Sequence, residues 1–286
     1  SLLYHLHTLF LFNKSDVKTV IVPQAVFALA AASSCLPTPA SGDPSPIRPS
    51  TLPSITPTRT LLMLAWLYLH VLLESIANQR LPSSILEDSL NKPWRPLPAG
   101  RITPSQSQRL LRFGVPAGLV LSVVLGNVAP AGVLICLMWV YNDLDGSSAG
   151  PLQRNLLNAA GLACFGWGAL GALRWTLLIA LIVATTIHAQ DFPDLEGDRE
   201  RGRRTMPLVY GQMPSRWALA AGLVTWSVVC LRFWVVPLGI CWMPPVLLGG
   251  FMAGLTVVNG SRRDQGTDEL VWKLWCLWMA VLFLLP

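Results

Sequence analysis

Nine stretches of this chain stay apolar for close to the length a helix needs to cross a bilayer, about 20 residues. They lie near residues 17–35, 60–79, 106–125, 128–142, 155–172, 173–190, 215–235, 239–258 and 269–286. The first is the weakest, with Lys18 at its start and Pro23 and Gln24 inside it; the fifth and sixth are parted only by the turn from Gly171 to Arg174. In hydrocarbon every backbone polar group has to be satisfied within the chain, so helices are the expected solution. The remaining composition agrees. Only 13% of the 286 residues are charged, about half the usual share for a soluble domain, and mean hydropathy is +0.50. Twelve Trp against four Tyr suit a chain with apolar bodies meeting wet edges. A soluble enzyme, a disordered chain and a disulfide-stapled secreted module are excluded. The fold class expected is all-α, a polytopic membrane protein with nine transmembrane helices.

The net charge of +6 does not indicate a nucleic-acid partner. Nucleic-acid binders spread basic side chains over a soluble face, whereas these cluster in short loops between apolar runs. The bilayer is the partner implied, and nothing calls for an obligate protein partner. The six Cys (Cys35, Cys136, Cys164, Cys230, Cys241 and Cys276) form no CxxC pair and read as small buried hydrophobes. The N-terminal stretch lacks a basic region leading into a compact apolar core, so no cleavable signal peptide is expected.

Three connecting segments differ in kind. Residues 36–58 are rich in Pro, Ser and Thr and read as an extended polar loop. Residues 80–105 and 191–214 are dense in Asp, Glu, Arg, Lys and Pro, each directly after an apolar run. When the loops are placed alternately on two faces, 17 of the 21 basic residues share one face, the exceptions being Arg48, Arg59, Arg174 and Arg232. The positive-inside rule makes the crowded face cytosolic. Fourteen of the 15 acidic residues gather on or near that face, with Asp43 opposite. Acidic residues contribute little to orientation, so a functional site is the better reason for their gathering.

Asp194 and Asp198 are spaced i, i+4, which puts two like charges on one helical face about 5–6 Å apart at Cβ. They repel unless a cation bridges them. Carboxylates suit a hard ion such as Mg²⁺, typically held by one or two carboxylates plus substrate phosphates. The Arg and Lys residues flanking both acidic clusters suit a phosphate ligand.

Two sequences then carry a resemblance. The stretch from Asp88 through Asn91, Lys92, Pro93, Trp94, Arg95 and Pro96 to Gly100 and Arg101 resembles the end of the first Asp-rich motif of the UbiA superfamily of intramembrane prenyltransferases. The stretch Asp191, Phe192, Pro193, Asp194, Leu195, Glu196, Gly197, Asp198, Arg199 resembles its second motif. The resemblance covers most of the chain and implies one domain over 1–286, a helical bundle with a central cavity open to the cytosol. It further implies Mg²⁺-dependent ionisation of an isoprenyl diphosphate. The implied metal ligands are Asn78, Glu87, Asp88, Asp191, Asp194 and Asp198, with Asp88, Asp194 and Asp198 central to catalysis. Lys92, Arg95, Arg101, Arg199, Arg203 and Arg204 would hold the diphosphate. The first motif departs from the family pattern NDxxDxxxD: Gln79 follows Asn78, Asp88 lies ten positions after Asn78, and Ser84 sits four before Asp88. Motif 1 therefore offers fewer carboxylates than usual. This variant is similar to a fungal branch that includes membrane-bound terpene cyclases, which implies cyclisation of farnesyl or geranylgeranyl diphosphate in secondary metabolism, with the endoplasmic reticulum as the expected membrane. Prenyl transfer to an aromatic or other acceptor is the rival. A transporter is disfavoured because the ionisable residues sit at one rim rather than at mid-membrane.

Other residues keep two readings. Asn142 and Asp143 add polar groups to the site or end a helix in a turn. His188 quenches a final cation or makes a structural contact, and so do His70 and Glu74, one turn apart on the second run. Trp94 lines the site or packs the loop. Arg262, Arg263, Asp264, Asp268 and Glu269 read as a solvated, orientation-setting turn.

Overall fold

A computed structural model describes residues 1–33, 56–170 and 173–285, with no strand among them. In chain order the helices are α1 (Leu2–Asn13), α2 (Val22–Ser33), α3 (Pro57–Gln79), α4 (Pro82–Asn91), α5 (Pro104–Leu125), α6 (Val128–Asn142), α7 (Pro151–Leu170), α8 (Leu173–Thr186), α9 (Leu195–Glu200), α10 (Met206–Val209), α11 (Gln212–Phe233), α12 (Met243–Arg262) and α13 (Gln265–Phe283). Each of the nine apolar runs overlaps most of one of these helices. Four, α3, α5, α11 and α12 with the turn before it, are long and apolar enough to cross a membrane; α2, α6 and α8 are apolar but shorter. Residues 34–55, with Cys35, Asp43, Arg48 and most of the Pro-rich loop, lie outside the described residues, as do 171–172.

Local chemistry sets the helix limits. Pro57, Pro82 and Pro104 occupy first-turn positions, where a missing N–H costs nothing. Thr103 and Gln106 close a reciprocal capping box on α5, and Gly126 ends it in the left-handed region at φ 75°. The polar loops are more ordered than their composition implies. Residues 80–105 contain α4, and 191–214 contain α9 and α10. Helix α1 has no counterpart among the apolar runs, because its 12 residues fall short of a span. A π-helical turn, Val17–Ile21, links it to α2, and such turns often mark functional sites.

Three apolar clusters hold the bundle. One joins α2, α8, α11, α12 and α13 through Phe27, Ile182, Leu223, Met252, Trp275 and Trp278. A second joins α1, α3 and α5 through Phe12, Leu73, Ile76 and Leu111. The third joins α3, α6 and α7 through Trp66, Leu67, Leu134 and Phe165. Small residues set the spacing: a Cβ on Gly168 would overlap the Trp66 ring. On the outside, α5 and α12 expose Phe113, Val120, Val124, Leu247 and Phe251, a surface suited to lipid rather than water. Cys164, Cys230 and Cys276 are buried as expected, whereas Cys136 and Cys241 are exposed.

Candidate active site

The two acidic motifs meet because α4 and α9 pack at a glycine. A Cβ on Gly197 would strike the Asn91 side chain and come within 2.9 Å of Glu87 Cγ. Only a residue without a side chain permits that approach. Asp194 is the N-cap of α9 and Asp198 lies in its first turn, so the i, i+4 pair does share one helical turn.

Ion pairs then stitch the motifs together. Glu87 accepts from Arg201 at 2.9 Å and Arg203 at 2.8 Å, and Arg203 also donates to Asp198 Oδ1 at 3.1 Å. Lys92 donates to Asp194 at 3.0 Å, and Arg95 to Asp88 at 2.7 Å. Arg154, from α7, pairs with Asp191. Burial would raise the Glu87 carboxyl, but Arg203 and Arg201 outweigh it and hold Glu87 below the usual carboxylate range. Asp88 is raised by burial, which Arg95 only partly offsets. Asp198 is pushed up to about 6 by burial, with the Asp191 and Glu87 carboxylates adding to it against Arg154 and Arg203.

These groups rim a cavity of about 500 Å³. Asn78, Glu87, Asn91, Lys92, Arg95, Arg154, Asp194 and Arg203 line its polar part, and Val71, Leu134, Leu137, Leu162 and Phe165 its apolar part. Asp88, Asp191 and Asp198 stand behind this lining, each buried with one carboxylate oxygen, Oδ2, lacking a hydrogen-bond partner. Among the described residues no three His, Cys, Asp or Glu side chains form a ready-made metal cage. Mg²⁺ does not require one, since it takes one or two carboxylates and completes its shell with phosphate and water. The uncommitted Asp oxygens are hard donors of the type that ion selects, so the residues present fit it.

Other expected positions fall elsewhere. Arg101 stacks on Tyr4 at 4.3 Å and donates to Thr8 at 3.2 Å, which ties the motif-1 loop to α1 away from the cavity. Arg199 and Arg204 are exposed. Asp143 pairs with Arg80 at 2.5 Å on the outside. Asn142 accepts from Asn78 at 3.0 Å. His188 is buried behind motif 2, its Nε2 donating to the Ser215 carbonyl at 3.1 Å. His70 contacts the Trp66 carbonyl at 2.9 Å and faces Ser122, outside the cavity lining. Trp94 lines the cavity and takes Lys14 over its ring at 4.4 Å.

Two groups of residues escaped the sequence reading. Lys14, Asp16 and Lys18, between α1 and α2, line the cavity; their only signal was polarity just before and at the start of the first run. The last loop is not merely solvated. Glu269 and Lys273 line the cavity, paired at 3.0 Å, and Asp268 is buried against Arg216 at 2.6 and 2.8 Å. The Arg216 guanidinium lies 4.2 Å over the Phe192 ring, and Gln265 donates to the Pro193 carbonyl at 3.0 Å. The second motif is thus held from behind by α11 and α13.

Comparison with known proteins places the chain in a family. Residues 20–284 match the UbiA prenyltransferase family. The chain is 32% identical, over 98% of its length and 92% of the relative's, to fumagillin beta-trans-bergamotene synthase af520 of Aspergillus fumigatus. It is 28% identical to two proteins of Hericium erinaceus: diterpene cyclase eriG, covering 94% of this chain and 85% of that protein, and polyprenyl transferase eriF, covering 93% and 90%. A UbiA homolog from Archaeoglobus fulgidus, solved bound to DMAPP and Mg²⁺, shares the fold at TM-score 0.65 and 14% identity, over 97% of this chain and 98% of that one. With a family match over nearly its whole length, the chain belongs to the UbiA prenyltransferase family, whose members are integral membrane proteins.

Proposed function

We propose that this chain ionises farnesyl or geranylgeranyl diphosphate with Mg²⁺ and lets the cation cyclise to a terpene, releasing diphosphate, as a class I-like enzyme of secondary metabolism. In this reading residues 1–286 form one domain, all nine apolar runs cross the bilayer, and the cavity opens to the cytosol, with the endoplasmic reticulum as the host membrane. The observation that carries it is the convergence of both acidic motifs and seven basic side chains on one cavity that also has an apolar wall.

Glu87, Asp194 and Asn78 at the lining, with Asp88, Asp191 and Asp198 behind them, would hold the metal. Bound there, Mg²⁺ supplies charge neutralisation for the departing diphosphate. Lys92, Arg95, Arg154 and Arg203 meet the same developing charge with fixed donors, which stabilises the leaving group. Arg199 and Arg204, exposed, add long-range attraction. Val71, Leu134, Leu137 and Phe165 hold the isoprenoid tail and exclude water. The stacked rings of Trp272 and Trp275, 5.1 Å apart, offer π faces to a cation.

The 32% identity to a bergamotene synthase favours cyclisation. The equal 28% identity to a cyclase and to a polyprenyl transferase supports the second reading, transfer to an acceptor. The test is incubation of purified protein in nanodiscs with each diphosphate and Mg²⁺, with and without a phenolic acceptor, followed by gas chromatography–mass spectrometry. A cyclic hydrocarbon without acceptor is expected. Product only with acceptor transfers the assignment to the second reading.

A further inference from the structure

Of the five carboxylates lining the cavity, three face a cation, and two, Asp16 and Glu74, do not. Glu87, Asp194 and Glu269 each accept from an Arg or Lys, and Asp16 accepts from the hydroxyls of Ser75 and Thr19. Glu74 lines the cavity from α3, with Val71 three positions before it and Asn78 four after it, so that the three share one helical face. Among the described residues its hydrogen-bond partner is the Asn142 amide, whose Nδ2 lies 3.4 Å from Glu74 Oε1 and is also bonded to the Met138 carbonyl. Glu74 is thus a carboxylate without a cation, placed between the charged rim and the hydrocarbon wall.

Resting on the cyclase reading above, we infer that Glu74 is the proton acceptor that ends the reaction. Loss of diphosphate leaves a carbocation, and an alkene product requires that cation to shed one proton. A C–H bond beside the cationic carbon breaks, its electron pair becomes the new π bond, and the proton passes to a Glu74 carboxylate oxygen. Electrons and atoms balance without any oxidant or further reactant. The groups paired with Arg and Lys are poorer acceptors, because those cations oppose protonation. The Asn142 amide fixes the Glu74 side chain, as a general base requires.

The test compares wild type with Glu74→Gln and Glu74→Asp in nanodiscs, with farnesyl and with geranylgeranyl diphosphate plus Mg²⁺ and no acceptor. Pyrophosphate and hydrocarbon products are measured together. Gln preserves volume and can still accept from Asn142, so the fold is kept. The fraction of ionised substrate leaving as the wild-type alkene should fall by about 10²-fold in E74Q, the scale of a lost general base. Alcohols or isomeric alkenes should replace it, and E74D should restore part of the yield. An unchanged product fraction in E74Q, beside an active wild type, overturns the role of Glu74 alone. Loss of pyrophosphate release together with product in both variants also overturns it, by making Glu74 a requirement for ionisation. A wild type inert without acceptor sinks the cyclase reading and Glu74's role with it.

Discussion

Asp198 and Asp268 are both buried carboxylates facing an arginine, yet their surroundings are opposite. Asp268 is fully used: Oδ1 accepts from Arg216 and Asn259, at 2.6 and 2.8 Å, and Oδ2 from Arg216 at 2.8 Å. Asp198 spends Oδ1 on Arg203 at 3.1 Å and leaves Oδ2 without a partner. The first arrangement is closed and can only hold helices together. The second is open, next to a cavity, and costs stability unless something completes it. A buried charge is therefore not a functional signal by itself; the uncommitted oxygen is.

Breaking the closed pair gives the largest expected effect. Arg216→Ala strands the Asp268 carboxylate, which should cost about 3–5 kcal/mol and lower the unfolding temperature in detergent. Asp198→Asn should do the reverse. It keeps the shape and the Arg203 contact, so unfolding moves little, while pyrophosphate release falls by about 10²–10³-fold, comparable to loss of one preorganised transition-state contact. If D198N unfolds early and R216A keeps both stability and turnover, the contrast fails.

A smaller effect sharpens the same point without touching charge. Gly197→Ala should push α4 from α9 by placing a methyl group against Asn91 and Glu87. Overpacking of this kind costs about 1–3 kcal/mol, and turnover should fall alongside. Wild-type turnover in G197A would show that the two motifs need not meet so closely.

The mildest test is pH. With its pKa raised to about 6, Asp198 binds a proton as pH falls through that value, and a divalent ion has to displace it. The Mg²⁺ concentration for half-maximal turnover should therefore fall as pH rises through about 6 and level off above. D198N should lose this slope. The stability term runs the opposite way. A carboxyl whose folded pKa exceeds its ordinary value of 3.8 loses stability as pH rises from there to about 6, so the stability of wild type relative to D198N should fall across that window.

Helix content was legible because spanning-length apolar runs leave a chain few options; all nine runs overlap helices. The motif 2 pair, Asp194 and Asp198, was legible from spacing. What escaped was tertiary. Arg101 looks like its neighbours in sequence, and only the approach of α1 takes it from the cavity to Tyr4. Asp268 reads as one more charge in a loop, and its burial depends on Arg216, 52 positions away. Lys14, Asp16 and Lys18 line the cavity from the connection between α1 and α2, whose position depends on how those helices pack. Spacing rules operate within one helix, whereas these placements depend on how several helices pack.

The proposed function places ionisation of an isoprenyl diphosphate at the cavity backed by the open carboxylates Asp88, Asp191 and Asp198. It is tested most directly by pyrophosphate release from farnesyl and geranylgeranyl diphosphate, with no acceptor, in wild type and D198N, each with Mg²⁺ and with EDTA. The account predicts release by wild type in Mg²⁺, abolished by EDTA and reduced by at least about 10²-fold in a folded D198N. Equal release from wild type and D198N, or release that persists in EDTA, would contradict it.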